Sequence, residues 1–157
     1  MWPFKKKAKG YLGKIVTGKR KMCKPCKIVF TPRQEEKAEV ISTELVRACK
    51  ELAVTHPMGC CGLAANQLGY NLRVICILKG KAWKVYINPE IVVPNVAGNR
   101  KQWKTEGCLS FPNKPLNVER MRKIVAVSDN HDSELLTGRE AEAFQHEVDH
   151  LDGVTPY

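Results

Sequence analysis

Two histidines with a glutamate between them, His146-Glu147-Val148-Asp149-His150, are the residues of this chain best suited to do chemistry. On a helix turning about 100° per residue, His146 and His150 fall one turn apart on one face, with Glu147 on its flank. Two imidazoles so placed bind one metal ion while the carboxylate reaches a water beside it. Taken alone, the spacing also arises by chance, and histidine pairs on amphipathic helices often only pack. Cys108, in Glu106-Gly107-Cys108-Leu109-Ser110, is the natural third ligand. A thiolate is a strong donor, and two His plus one Cys leave a fourth tetrahedral position open, as catalytic sites require. A buried structural cysteine is the competing reading. In Gly59-Cys60-Cys61-Gly62-Leu63-Ala64-Ala65-Asn66-Gln67, small residues suit a backbone that must approach a ligand closely, and Gln67 adds a neutral amide donor. An ordinary turn ahead of a strand competes with that reading.

The elements that must position these groups are legible in part. Thr137, with Glu140 three residues on, has the spacing of a capping box, and Gly153 is a stop signal, so the His-Glu-x-x-His segment is expected to be helical. Thr31-Pro32-Arg33-Gln34 offers an N-cap, a proline at the first helical position and Gln at the third. Ile41, Leu45, Ala48, Cys49 and Leu52 then recur at helical spacing, which predicts an amphipathic helix over 32–54 that ends at His56-Pro57. Strands are expected at 73–78, 83–88, 91–93 and 123–127, separated by Gly, Pro and Asn signals. Alternating helices are missing, so small antiparallel sheets are expected rather than a doubly wound parallel one.

A chain of 157 residues with 43% hydrophobic content can bury one core without disulfide staples. No apolar run is long enough to span a bilayer, and no secretion signal follows the basic start. Seven cysteines, an odd number that includes the adjacent pair Cys60-Cys61, suit reduced thiols in a cytoplasmic setting. The net charge of +10 is concentrated: residues 1–27 hold ten Lys or Arg and no Asp or Glu, leaving 16 basic and 16 acidic residues in 28–157. Its glycines and weak periodicity predict a flexible or loosely docked basic arm over 1–27, with a short strand at 11–16, ahead of a catalytic domain over 28–157. A solubilising tail and a contact with a polyanion are the two readings of that arm. Cys23-Lys24-Pro25-Cys26 lies within it without the second pair of a zinc ribbon or the βαβ setting of a thiol oxidoreductase.

Gly62-Leu63-Ala64-Ala65-Asn66-Gln67, Glu106-Gly107-Cys108-Leu109-Ser110 and Gln145-His146-Glu147-Val148-Asp149-His150, in that order, resemble the three signature motifs of peptide deformylases. The resemblance runs from near Gln34 to Gly153 and includes Ile87-Asn88-Pro89 and Arg120. It implies an α+β fold, with antiparallel β-sheets surrounding a central helix that carries the two histidines. It also implies a metal-dependent hydrolase that removes the formyl group from N-formylmethionyl nascent peptides and releases formate. By position, Cys108, His146 and His150 would hold one divalent ion, iron(II) in cells with zinc or nickel as substitutes. Glu147 would be the general acid and base, and Gln67 with the Leu109 backbone N–H would donate to the oxyanion. Gly62, Leu63 and Glu106 fall in the substrate-binding set, with Glu106 also the partner of Arg120. A monomer is expected, with a ribosomal RNA contact through the basic arm, where Trp2, Phe4 and Tyr11 could stack on bases.

The family pattern is departed from at Cys60 and Asn113, where glycine is usual, and at Arg139, Glu140 and Glu142, which are polar for a helix start that helps enclose the methionine side chain. The chain ends four residues after Gly153, which resembles phage-encoded members more than bacterial ones with a C-terminal ribosome-contacting extension. Two other functions compete. His-Glu-x-x-His is also the signature of zinc metallopeptidases, whose third ligand is usually a downstream His or Glu; none follows His150. An RNA- or ribosome-binding protein with a structural metal site would need neither Glu147 nor Gln67.

Overall fold

The protein was analysed as a computed structural model, which describes residues 10–57 and 59–155. In chain order these form a 3-10 turn (Gly10–Lys14), α1 (Lys19–Met22), α2 (Pro32–Thr55), β1 (Gly62–Ala64), a second 3-10 turn (Ala65–Leu68), β2 (Val74–Lys79), β3 (Ala82–Ile87), β4 (Glu90–Val92), β5 (Lys101–Glu106), β6 (Leu116–Met121), β7 (Lys123–Ser128), β8 (His131–Thr137) and α3 (Gly138–Asp152). All strand pairs are antiparallel, in sheets ordered β1-β2-β3 and β4-β7-β8 and a hairpin β5-β6. The fold is α+β, as the sequence predicts.

Period-two alternation explains how the first sheet holds two helices apart. Leu63, Val74 and Cys76 face α2, whose Ala38, Ile41, Leu45, Ala48, Cys49 and Leu52 are fully buried against them. Ala64, Ile75 and Ile77 face the other way and pack with Phe144, Val148 and Leu151 of α3. Ile124, Ala126 and Leu136 of the second sheet join the same cluster, so α3 is enclosed between two sheets. With both faces covered, β2 carries the continuous apolar run Val-Ile-Cys-Ile.

The α2 capping box forms: Gln34 N–H donates to Thr31 Oγ1, and Thr31 N–H donates to Gln34 Oε1 at 2.9 Å. The one expected at α3 does not. Thr137 makes no side-chain cap, because Gly138 opens the helix at φ +57° and Glu140 turns away to accept from Gly80 N–H at 3.0 Å. Gly153 closes α3 in the left-handed region at φ +69°. A Cβ there would lie 2.8 Å from the backbone of Cys23 and Lys24, so both conformation and contact demand glycine. Strands β5, β6 and β8 were not anticipated, since their alternating polar residues leave one face to solvent.

The basic segment also corrects an expectation. No strand forms at 11–16, and residues 10–27 are docked rather than loose. Tyr11, Ile15, Met22 and Cys26 are buried. Val16 N–H donates to Gln67 O at 2.8 Å, Gly18 N–H to Ser110 O at 3.2 Å and Cys26 N–H to Leu151 O at 2.7 Å. Packing therefore continues across the charge step at residue 27. Tyr11, held by burial and by its N–H bond to Glu51, is not free to stack on a base. Trp2, Phe4 and the cations up to Lys9 lie outside the described residues. No described helix is long and apolar enough to cross a membrane, and all seven cysteines are free.

Candidate metal centre

The helix brings the two histidines together as their spacing demands. Their rings stand edge to face with centroids 4.9 Å apart and Nε2 atoms 3.2 Å apart. Cys108 Sγ lies 3.2 Å from His150 Nε2, and the three donor atoms fall within 4.8 Å of one another. Among the described residues no other group of His, Cys, Asp or Glu converges in this way, Cys23 and Cys26 included. Cys108 is carried by the turn after β5, closed by Phe111 N–H to Cys108 O at 3.0 Å and backed by the buried side chains of Met22, Phe111 and Leu116. Burial pushes the Cys108 thiol up to about 11 against the pull of the Ser110 and Phe111 backbone groups, so an incoming ion must displace its proton.

The orientation of His146 is set from behind. Its Nδ1–H donates to Glu106 Oε2 at 2.8 Å, which leaves Nε2 as the lone-pair donor. Glu106 in turn accepts from Arg120 Nε and Nη2, both at 2.9 Å, while Arg120 Nη1 donates to Asp149 of α3. Burial opposes ionisation of Glu106, but the Arg120 and His146 hydrogen bonds win and hold it down at about 2. Burial likewise opposes charge on His146, and the Glu106 bond outweighs it, raising the imidazole above its usual value. His150 has no such carboxylate; burial and the neighbouring His146 lower it to about 3, keeping it neutral and ready to ligate. Both Glu106 oxygens are thus engaged with protein groups: Glu106 is the partner of Arg120, as the resemblance implies, and its carboxylate stands behind His146.

Glu147 is buried, and its Oε2 has no hydrogen-bond partner among the described residues. Burial raises its carboxyl well above the usual range, partly offset by His146. Gly62 is what lets it in: a Cβ at 62 would lie 2.8 Å from Glu147 Oε1 and 3.1 Å from Cys76 O. Besides the approach to a ligand expected from the sequence, the backbone here comes close to the protein's own carboxylate. Gln67 is oriented by Ala64 N–H, which donates to its Oε1 at 3.0 Å. Its Nε2 then points at Ser110 Oγ, 3.2 Å away, and toward Cys108 Sγ at 4.0 Å. Leu109 is half-buried beside Cys108. The Leu63 side chain is fully buried against α2, so the part of Leu63 on the side away from that core is its backbone.

Two imidazoles, a thiol and an adjacent buried carboxylate without a partner are a donor set that fits one divalent transition-metal ion. Three supporting residues escaped the sequence reading. Asp149 carried a signal, standing three residues after His146 and so near its face. Asn66, which donates to His150 O at 2.6 Å, and Ser110 carried none beyond their neighbours. At the departures from the family pattern, Asn113 adopts φ +65°, and Cys60 donates its thiol to Gly62 O at 3.2 Å. Glu142 pairs with Lys104 at 2.8 Å and Glu140 accepts from Gly80 N–H, so both acidic residues at the start of α3 have partners within the protein.

The model of the polypeptide deformylase family matches residues 15–157. A peptide deformylase of Aquifex aeolicus (strain VF5) is 37% identical over 131 residues, covering 76% of this chain and 75% of the relative. Among solved structures, the deformylase of the Vibrio parahaemolyticus bacteriophage VP16T in complex with actinonin is similar with a TM-score of 0.73 and 26% identity, over 90% of this chain and 98% of that one. Peptide deformylase from Thermotoga maritima is similar with a TM-score of 0.72 and 28% identity, over 89% of this chain and 91% of that one.

Proposed function

The chain belongs to the polypeptide deformylase family, hydrolases that remove the formyl group from N-formylmethionyl peptides, and from that premise we propose how its residues divide the work. The observation that carries the reading is the convergence of Cys108, His146 and His150 within 4.8 Å beside the unpartnered carboxylate of Glu147. Those three residues would hold one divalent ion, iron(II) in cells, with zinc or nickel able to replace it. When bound, such an ion supplies Lewis acidity that acidifies water and draws charge from a carbonyl oxygen.

The remaining work falls to the chain. Glu147, as carboxylate, takes a proton from the water that adds to the formyl carbon; burial, which raises its pKa, strengthens it as that base. As the C–N bond breaks, the same proton passes to the departing amine nitrogen, and formate leaves. Charge building on the formyl oxygen meets Gln67 Nε2, already aimed by its bond to Ala64, and the Leu109 N–H. One such donor is typically worth about 2.7–4 kcal/mol of barrier. Among the described residues β1 pairs with β2 alone, so its other edge is open for an extended peptide to add as a strand through the backbone of Gly62 and Leu63. We place the enzyme in the cytoplasm as a monomer, taking nascent chains at the ribosome.

The test is formate release from formyl-Met-Ala-Ser by anaerobically purified protein. Turnover that depends on the bound ion is expected; hydrolysis of unformylated peptides in its place would move the assignment to a metallopeptidase.

A further inference from the structure

Much of the excess positive charge of this chain sits on a described segment whose backbone is fixed in place. Of the ten cations in residues 1–27, six are in the described part: Lys14, Lys19, Arg20, Lys21, Lys24 and Lys27. All six are exposed, and among the described residues none takes part in an ion pair. Residues 28–157 hold 16 basic and 16 acidic residues, so the net charge of the chain comes from the segment before them. The backbone that carries them is held by Gly18 N–H to Ser110 O, by Cys26 N–H to Leu151 O and by Met22, which is fully buried in the cluster that backs Cys108. The cations therefore lie on the exposed side of a segment whose buried side packs against the turn that carries Cys108 and against the end of α3.

We propose that these cations act together as a ridge that docks on the phosphate backbone of a folded RNA and so holds the metal centre at a fixed orientation to it. The proposal deepens the ribosomal reading of the partner and rests on that reading only for which RNA is met in the cell. Phosphate contacts from Lys and Arg give strong, salt-dependent binding without sequence preference, which suits a segment of exposed cations that has no carboxylate in its own sequence. A bilayer is the less fitting polyanion. Interfacial binders oppose a cationic face with a broad apolar one, and here Tyr11, Ile15, Met22 and Cys26 are buried, which leaves Ile28 and Phe30, just past Lys27, as the exposed large apolar side chains of this region. Just past Lys27, Phe30 is 84% exposed, a free ring of the kind that stacks on unpaired bases.

The experiment uses the full chain loaded with metal, a labelled RNA hairpin read by fluorescence anisotropy over a series of salt concentrations, and mixed phosphatidylcholine–phosphatidylserine vesicles read by co-sedimentation. Six contacts predict that log affinity falls with log salt with a slope of roughly −4 to −5. Replacing Lys19, Arg20, Lys21 and Lys24 by Glu is expected to weaken hairpin binding at low salt by at least ~10²-fold and to flatten the slope by about 3. The same four positions changed to Gln should flatten it similarly, which guards against misfolding of the charge-reversed protein. Unchanged hairpin affinity in both variants would overturn the proposal, as would parent protein that prefers vesicles to RNA. Formyl-peptide turnover is followed on the same samples and should be equal in parent and variants. A parent that binds RNA but releases no formate would refute the enzymatic reading and leave the ridge standing.

Discussion

Replacing Gly62 by alanine tests whether this glycine exists to admit Glu147. An added Cβ would stand 2.8 Å from Glu147 Oε1 and 3.0 Å from its Cγ, where ordinary contact begins at 3.4 Å, a shortfall of about 0.6 Å. The strand cannot yield freely in the other direction, because Cys76 O is already 3.1 Å from the same point and β1 is tied to β2. The carboxylate must therefore recede. Since misplacement by about 1 Å costs on the order of 10²-fold in rate, a shift of about half that predicts a fall in kcat of roughly 10-fold. Overpacking of this kind also costs about 1–3 kcal/mol of stability, so the melting temperature should drop while the protein stays folded. No ligand is touched, and metal content should be unchanged. Formate release gives kcat and KM, and metal analysis on the same sample gives occupancy. A variant with parental kcat would refute the reasoning; so would a raised KM with kcat intact, because the glycine would then serve substrate pairing and not the placement of Glu147.

Cys108→Ala should lose the bound ion while keeping its helical circular-dichroism signal; full occupancy in that variant would remove Cys108 from the ligand set. Glu147→Gln keeps all three ligands, so metal should remain while turnover falls by at least ~10²-fold, and parental turnover would exclude Glu147 as the base. For the metal-free protein, Glu106 sets a pH dependence. Its folded pKa of about 2 lies below the usual 4.5, so the stability it contributes is complete above about pH 4.5 and is lost as pH falls toward 2. Glu106→Gln should flatten the decline in denaturation midpoint across that window, and an unaltered decline would show that the Arg120 pairing does not hold the carboxyl down.

What the sequence revealed follows from which interactions the chemistry constrains. Cys108, His146 and His150 were legible because metal ligation admits few residue types, and Glu147 because a helix fixes its place beside the histidines. The α2 helix was legible for a similar reason: its cap and its apolar stripe are local patterns, and Thr31 and Gln34 meet as their spacing requires. Thr137 and Glu140 had the same spacing and failed, since Gly138 and the distant Gly80 decide that end of α3 and neither enters a local rule. Strands β5, β6 and β8 were missed because a strand with one wet face reads as polar chain until its partner is known. The docking of residues 10–27 was missed because a few buried side chains, Tyr11, Ile15, Met22 and Cys26, outweigh the many exposed cations around them.

The support of the metal centre shows where such reading must stop. Arg120 lies outside all three motifs, yet its guanidinium joins Glu106, which holds His146, to Asp149 on the helix that carries both histidines. The network thereby ties the β5–β6 hairpin, the turn bearing Cys108 and α3 into one unit around the donor atoms. Arg120 and Glu106 have side chains only 7% and 13% exposed, so either one without the other would be a buried charge costing several kcal/mol. The pairing is therefore enforced by stability as well as by its hold on His146. Nothing in the residue types alone says that Glu106 serves the histidine. That fact belongs to the strand register, which sets Glu106 opposite Leu116 and Gln102 opposite Arg120 and so brings a carboxylate and a guanidinium from different ends of one hairpin to the same helix.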